Sequence, residues 1–147
     1  MTIPTKQSAL CLGLLLAFAV QGASEHTWID IGTILAEPLP EQRVRIAATL
    51  VHDLGDNEFL VEDASGRIVV EAGPAWYHRV TLPADEPLII DGEVEREDDR
   101  DPPVVDVYSV TRSDGAVLRI RSDRGPSPWS GGAAAAGSTA VSPARWE

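Results

Sequence analysis

Six carboxylates fall in one short run: Glu93, Glu95, Glu97, Asp98, Asp99 and Asp101. Carboxylate oxygens at that density are the raw material of a hard-cation site, because calcium takes several oxygen ligands at once. Glu93 and Glu95 alternate along a predicted strand and so share one face with the loop carboxylates beside them. The Gly and terminal Glu of a calcium-binding loop are absent, and Arg96 and Arg100 offset part of the field. Two readings of the run stay open. One is a divalent-cation site built on Asp98, Asp99 and Asp101; the other is a solvated charged rim.

No other constellation has catalytic spacing. His26, His52 and His78 do not pair at metal-ligand spacing. Ser65-Gly66 is turn chemistry and not a nucleophile elbow, which needs Gly two residues before the Ser. No Gly-rich phosphate loop follows a strand. The expectation is a protein that is not an enzyme and has no cofactor.

The elements around these residues are short strands. Residues 43–51 alternate, with Val44, Ile46, Ala48 and Leu50 on one face, the period of a half-buried strand. Gly55-Asp56-Asn57 is a reversal, since these residues tolerate left-handed backbone. Residues 58–62 carry Phe59 and Val61 inward, and Glu58 and Glu62 outward. A second reversal at 63–66 leads to a β-branched run at 67–72. Residues 73–80 break the pattern, and Pro74 suits the first turn of a helix. Residues 88–95 form a fourth strand, where Gly92 marks a bend or bulge. Residues 104–111 form a fifth, with Val110 out of phase and a bulge expected near Ser109. Ser113-Asp114-Gly115 is a hairpin signal, and 116–121 can add a sixth strand. Before the first strand, 31–36 reads as a short helical or irregular turn ended by Pro38 and Pro40. The core is expected at Leu50, Phe59, Ile68, Ile90, Val94 and Val107.

Charge narrows the partners. The chain has 147 residues, 12 basic and 23 acidic, for a formal net charge of −11. Nucleic-acid binders present a basic patch or stripe, so a nucleic-acid partner is not expected. Residues 1–23 read as a secretory signal: Lys6, an apolar run at 9–20 too short to span a membrane comfortably, then the small residues Gly22, Ala23 and Ser24. Leu10 is too large for a lipobox before Cys11. Cleavage removes the single Cys, leaves no stable membrane anchor, and implies a periplasmic or secreted protein. From Ser122 the apolar period stops. Gly, Pro and Ala dominate 122–147, so that tail is expected to be disordered. Its Trp129 and Trp146 are candidate docking anchors.

Five strands with a helical piece between the third and fourth are the element order of the OB-fold. Several blocks go further: residues 54–60, residues 63–70, Gly92-Glu93-Val94 and Val105-Asp106-Val107. With Trp76 ahead of the fourth strand, they resemble the bacterial OB-fold family of small periplasmic proteins. The resemblance spans about residues 31–112. It implies an all-β, closed five-stranded barrel over 24–121, no catalytic residues, and a part in envelope stress tolerance through binding envelope components or small ligands. The Asp-Pro-Pro insertion and the extra strand and tail depart from the family pattern. OB-fold ligands lie over strands two and three, between the loops joining strands one–two and four–five. Here those loops are acidic, so the expected ligand is small, cationic or from the cell envelope. The candidate site is Asp56, Asn57, Glu95, Asp98, Asp99 and Asp101. The alternatives are the divalent-cation protein and an adaptor that docks through its tail Trp residues.

Overall fold

The computed structural model describes residues 26–130 and 143–147. The expected leader at 1–23, and residues 131–142 of the tail, lie outside the described residues. In chain order the elements are β1 (Thr27–Trp28), α1 (Ile31–Ala36), β2 (Arg43–Gly55), β3 (Glu58–Glu62), β4 (Arg67–Glu71), β5 (Leu88–Glu95), β6 (Val104–Thr111) and β7 (Val117–Arg119).

Five of these strands close on themselves. β2 pairs β3, β3 pairs β4, β4 pairs β6, β6 pairs β5, and β5 returns to β2. Only the β4–β6 contact is parallel; the others are antiparallel. This is the closed five-stranded OB barrel that the sequence pattern implies. β1 adds in parallel to β2, and β7 adds to β6, both outside the ring.

The period-two pattern translates directly into the barrel interior. Val44, Ile46, Phe59, Val61, Ile68, Val70, Leu88, Ile90, Val94, Val105, Val107 and Val110 are all buried. Each large apolar side chain so buried contributes roughly 1.5–3 kcal/mol. Two irregularities bend the strands enough to close. Asp91 pairs Ser109 while Gly92 pairs Val107, so Tyr108 is the extra residue of a bulge, beside the expected position. A Cβ on Gly92 would stand 2.6 Å from the Asp106 carbonyl oxygen and from a Val105 methyl, so only glycine fits there. A second register shift lies between Leu50 and His52. Leu50, expected in the core, still stands opposite the buried Val61 but is only partly buried, as the last residue of β2 before this shift.

One expectation about helices is corrected, and the helical turn expected at 31–36 is present as α1. The piece between the third and fourth barrel strands is one turn, not a helix. Tyr77 and His78 both donate to the Pro74 carbonyl, at 3.0 and 3.4 Å. The Asn57 side chain then takes the next backbone groups, the His78 carbonyl and the Val80 N–H, and a helix cannot continue without them. The helix is α1, ahead of the barrel. Asp30 caps it by accepting from Thr33 N at 2.7 Å. The β3–β4 turn holds it, with Asp63 accepting from Ile31 N at 2.8 Å and Ser65 from Gly32 N at 2.7 Å. Burial works to raise the Asp63 carboxyl, but the donors from Ile31, Ser65 and Gly66 hold it below its usual value.

Where the tail is described, it lies on the barrel. Val117 and Glu147 exchange two backbone hydrogen bonds, at 2.7 and 2.8 Å, and Ala144 N donates to Arg79 O at 2.8 Å. Trp129 and Trp146 pack against the core. Composition averaged over the tail hides what two large aromatics can bury.

Candidate functional site

The outer face of the barrel carries a row of carboxylates that local sequence does not display. Glu58 on β3 stands opposite Glu71 on β4. Glu71 stands opposite Asp106 on β6, and Asp106 opposite Glu93 on β5. Register thus places one acidic side chain per strand across four neighbouring strands, about 4.8 Å apart along the hydrogen-bonding direction. Two residues along each strand the outward positions are Leu60, Val69, Val104 and Glu95, which are again register partners. An apolar row therefore runs beside the acidic one.

A groove of about 520 Å³ lies over this face. Asp56, Glu58, Glu71, Glu95 and Asp106 line it, with Gly73, Pro74, Trp76, Ser127 and Trp129. Trp76 is 59% exposed, an unusual position for an indole. Trp129 sits against Tyr77 and His78, with ring centroids 5.7 and 5.8 Å apart.

The electrostatics follow from the crowding. Partial burial, and then the neighbouring carboxylates of Glu58, Glu95, Asp106 and Glu97, push the Glu71 carboxyl above its usual value. Burial and Asp106 do the same to Glu95, against the opposing charge of Arg121. Asp106 is raised chiefly by burial, although the Arg121 guanidinium is paired to it. Arg121 also lies over the Tyr108 ring at 4.3 Å. The Tyr108 hydroxyl donates to Glu93, and burial together with that carboxylate pushes the phenol up to about 12. Arg121 thereby neutralises Asp106, while Glu93 is held by the Tyr108 hydroxyl. Among the described residues, Asp56, Glu58, Glu71 and Glu95 have no cationic partner within salt-bridge distance.

The structure separates the residues first singled out. Asp56 and Glu95 reach the groove. Asn57 is engaged within the fold. It is buried, and its amide is spent on the carbonyls of Gly73 and His78, at 3.0 and 2.8 Å, and on Val80 N at 2.9 Å. Asp56 and Asn57 have φ of 53° and 64°, the left-handed pair of a tight hairpin turn. Asn57 is thus the post on which the groove's 73–80 wall is hung. Asp98, Asp99 and Asp101 are exposed and do not line the groove. Asp98 accepts from Arg100 N at 3.1 Å, and Arg96 ties the loop through the carbonyls of Asp99 and Asp101. Their carboxylates do not converge. Among the described residues, no three His, Cys, Asp or Glu side chains are gathered as metal ligands.

Glu58, Glu71 and Asp106 were missed by sequence reasoning. One signal was available for the first pair. A hairpin centred on Ala64-Ser65 pairs Glu62 with Arg67 and hence Glu58 with Glu71. Their juxtaposition with Asp106 needed the parallel β4–β6 register, which no local pattern sets.

No protein-family model and no curated protein matches the chain. Two solved structures are similar to it. One is the hypothetical protein ygiW from E. coli, at 22% identity and a TM-score of 0.47, covering 60% of this chain and 89% of that one. The other is the S. pombe Stn1-ten1 complex, at 17% identity and a TM-score of 0.47, covering 63% of this chain and 80% of that one. The fold assignment rests on the strand order and register given above.

Proposed function

We propose that the chain is a non-enzymatic OB-fold binding protein whose ligand is cationic and sits on the outer face of β3, β4, β6 and β5. The acidic row beside an apolar row carries this reading. Glu58, Glu71 and Glu95, held on rigid strands without cationic partners among the described residues, and with raised carboxyl values at Glu71 and Glu95, form a surface that a positive ligand would stabilise. The same field would repel a phosphate backbone, which speaks against nucleic acid. A periplasmic or secreted location is part of the proposal and is supported by the signal-like composition of residues 1–23. A role in envelope stress tolerance rests on the family resemblance alone.

Titration calorimetry of the full chain with spermidine as the probe tests the binding face. Saturable binding is expected, with loss in the Glu58→Gln/Glu71→Gln double variant and little change in Asp98→Asn/Asp99→Asn. Binding that ignores the first variant and disappears in the second would overturn the assignment and return the site to the loop. Cell fractionation of the native host tests the location; a cytoplasmic, full-length product would contradict it.

A further inference from the structure

The groove has a wall that the barrel itself does not supply. Trp129 reaches it from the segment after β7 and lies on Gly73. That glycine has a φ of +74°, and a Cβ built on it would stand 2.6 Å from the Trp129 Cη2 and 2.9 Å from Cζ3. The seat therefore exists only because residue 73 lacks a side chain. Tyr77 and His78 also pack against the indole, tilted and edge-on. The His78 ring is itself fixed by its Nε2 contact with the Ala72 carbonyl at 2.7 Å. Trp76 lines the same groove. Two indoles thus flank a carboxylate row that has an apolar row beside it.

These parts favour one class of cation. An indole face attracts a desolvated organic ammonium, and Leu60, Val69 and Val104 offer a surface for methylenes. Successive ammonium groups of an extended polyamine lie roughly 5 Å apart across three carbons and roughly 6 Å apart across four, close to one strand spacing. A small hydrated metal ion gains nothing from indoles or apolar rows and prefers a closed shell of oxygens. We propose that Trp129 is a ligand-binding residue, brought by the C-terminal segment, that with Trp76 makes the groove selective for alkylammonium cations over metal ions. This rests on the binding face proposed above.

The test compares spermidine with magnesium on the full chain and on Trp129→Ala, Trp129→Phe and Gly73→Ala, with melting curves to verify folding. The wild type should bind spermidine at least tenfold more tightly than magnesium. Trp129→Ala should weaken spermidine roughly tenfold and leave magnesium unchanged, and Trp129→Phe should recover most of the loss. Gly73→Ala should reproduce the loss with the tryptophan still present, because its new methyl occupies the indole's seat. Unchanged spermidine affinity in both Trp129→Ala and Gly73→Ala would overturn the inference while leaving the binding face standing. Equal weakening of both cations would also overturn it, by reducing Trp129 to a structural support. If the wild type binds neither cation, the binding face itself is wrong.

Discussion

The acidic loop at 96–103 and the acidic row on the barrel face carry similar residues and behave differently. In the loop, carboxylates are dense in sequence, but they turn to solvent or to nearby backbone, and Arg96 ties the loop together. In the row, each carboxylate comes from a different strand, and none is next to another in sequence. Density along a chain lets side chains splay apart; register across a sheet holds them together. Burial first, and then neighbouring carboxylates, raise the carboxyl values of Glu71 and Asp106 in the row and of Glu95 beside it. The row also borders a walled groove.

The largest expected effects lie in the scaffold that fixes the row. Phe59→Ala removes the largest fully buried side chain from the strand that carries Glu58. It should cost about 3–5 kcal/mol by chemical denaturation. Asn57→Ala should cost roughly 2–4 kcal/mol, since it abandons two carbonyls and an N–H in the 73–80 wall. Loss of cation binding in Asn57→Ala without a stability loss would restore Asn57 as a ligand residue and break the contrast.

Smaller effects test the row directly. Glu71→Gln should stabilise the fold at neutral pH by roughly 0.2–1 kcal/mol through relief of like-charge opposition. Asp99→Asn in the loop should leave the melting temperature unchanged. The pH dependence follows with its sign. Glu71, Glu95 and Asp106 hold protons more tightly folded than unfolded, because burial and neighbouring carboxylates raise them. Their contribution is fully present below the ordinary carboxylate range and is lost as pH rises through the raised values. Asp63 acts oppositely: its contribution is present above its ordinary value and lost as pH falls through the lowered one. Stability should therefore pass through a maximum in the acidic range and decline as pH rises through the raised values, and the decline should be shallower in Glu71→Gln. A stability maximum at neutral pH would indicate that the row is not strained.

The barrel was legible from the sequence because its information is local. Alternation at 43–48, 58–62 and 88–95 fixes which side chains face inward, and the Gly-Asp-Asn reversal at 55–57 fixes the first hairpin. What was not legible depends on contacts between distant segments. The 73–80 stretch has helix-starting chemistry in Pro74, yet a side chain from residue 57 captures its backbone. Leu50 keeps the inward phase, opposite Val61, but is the last residue before the register shift and is only partly buried. Trp129 and Trp146 lie in a composition that predicts disorder, but each has a seat on the barrel that only the folded structure presents. The candidate site divides in the same way. Asp56 and Glu95 were within reach of local reasoning, whereas the Glu71–Asp106 contact comes from barrel closure.

The most direct test of the central claim is a backbone amide NMR titration of the wild-type chain with spermidine. The predicted result is a set of shift changes centred on Glu58, Leu60, Val69, Glu71, Val104 and Asp106, with the Trp76 and Trp129 indole signals moving and residues 98–101 still. Changes confined to 98–101, with the barrel face silent, would contradict it.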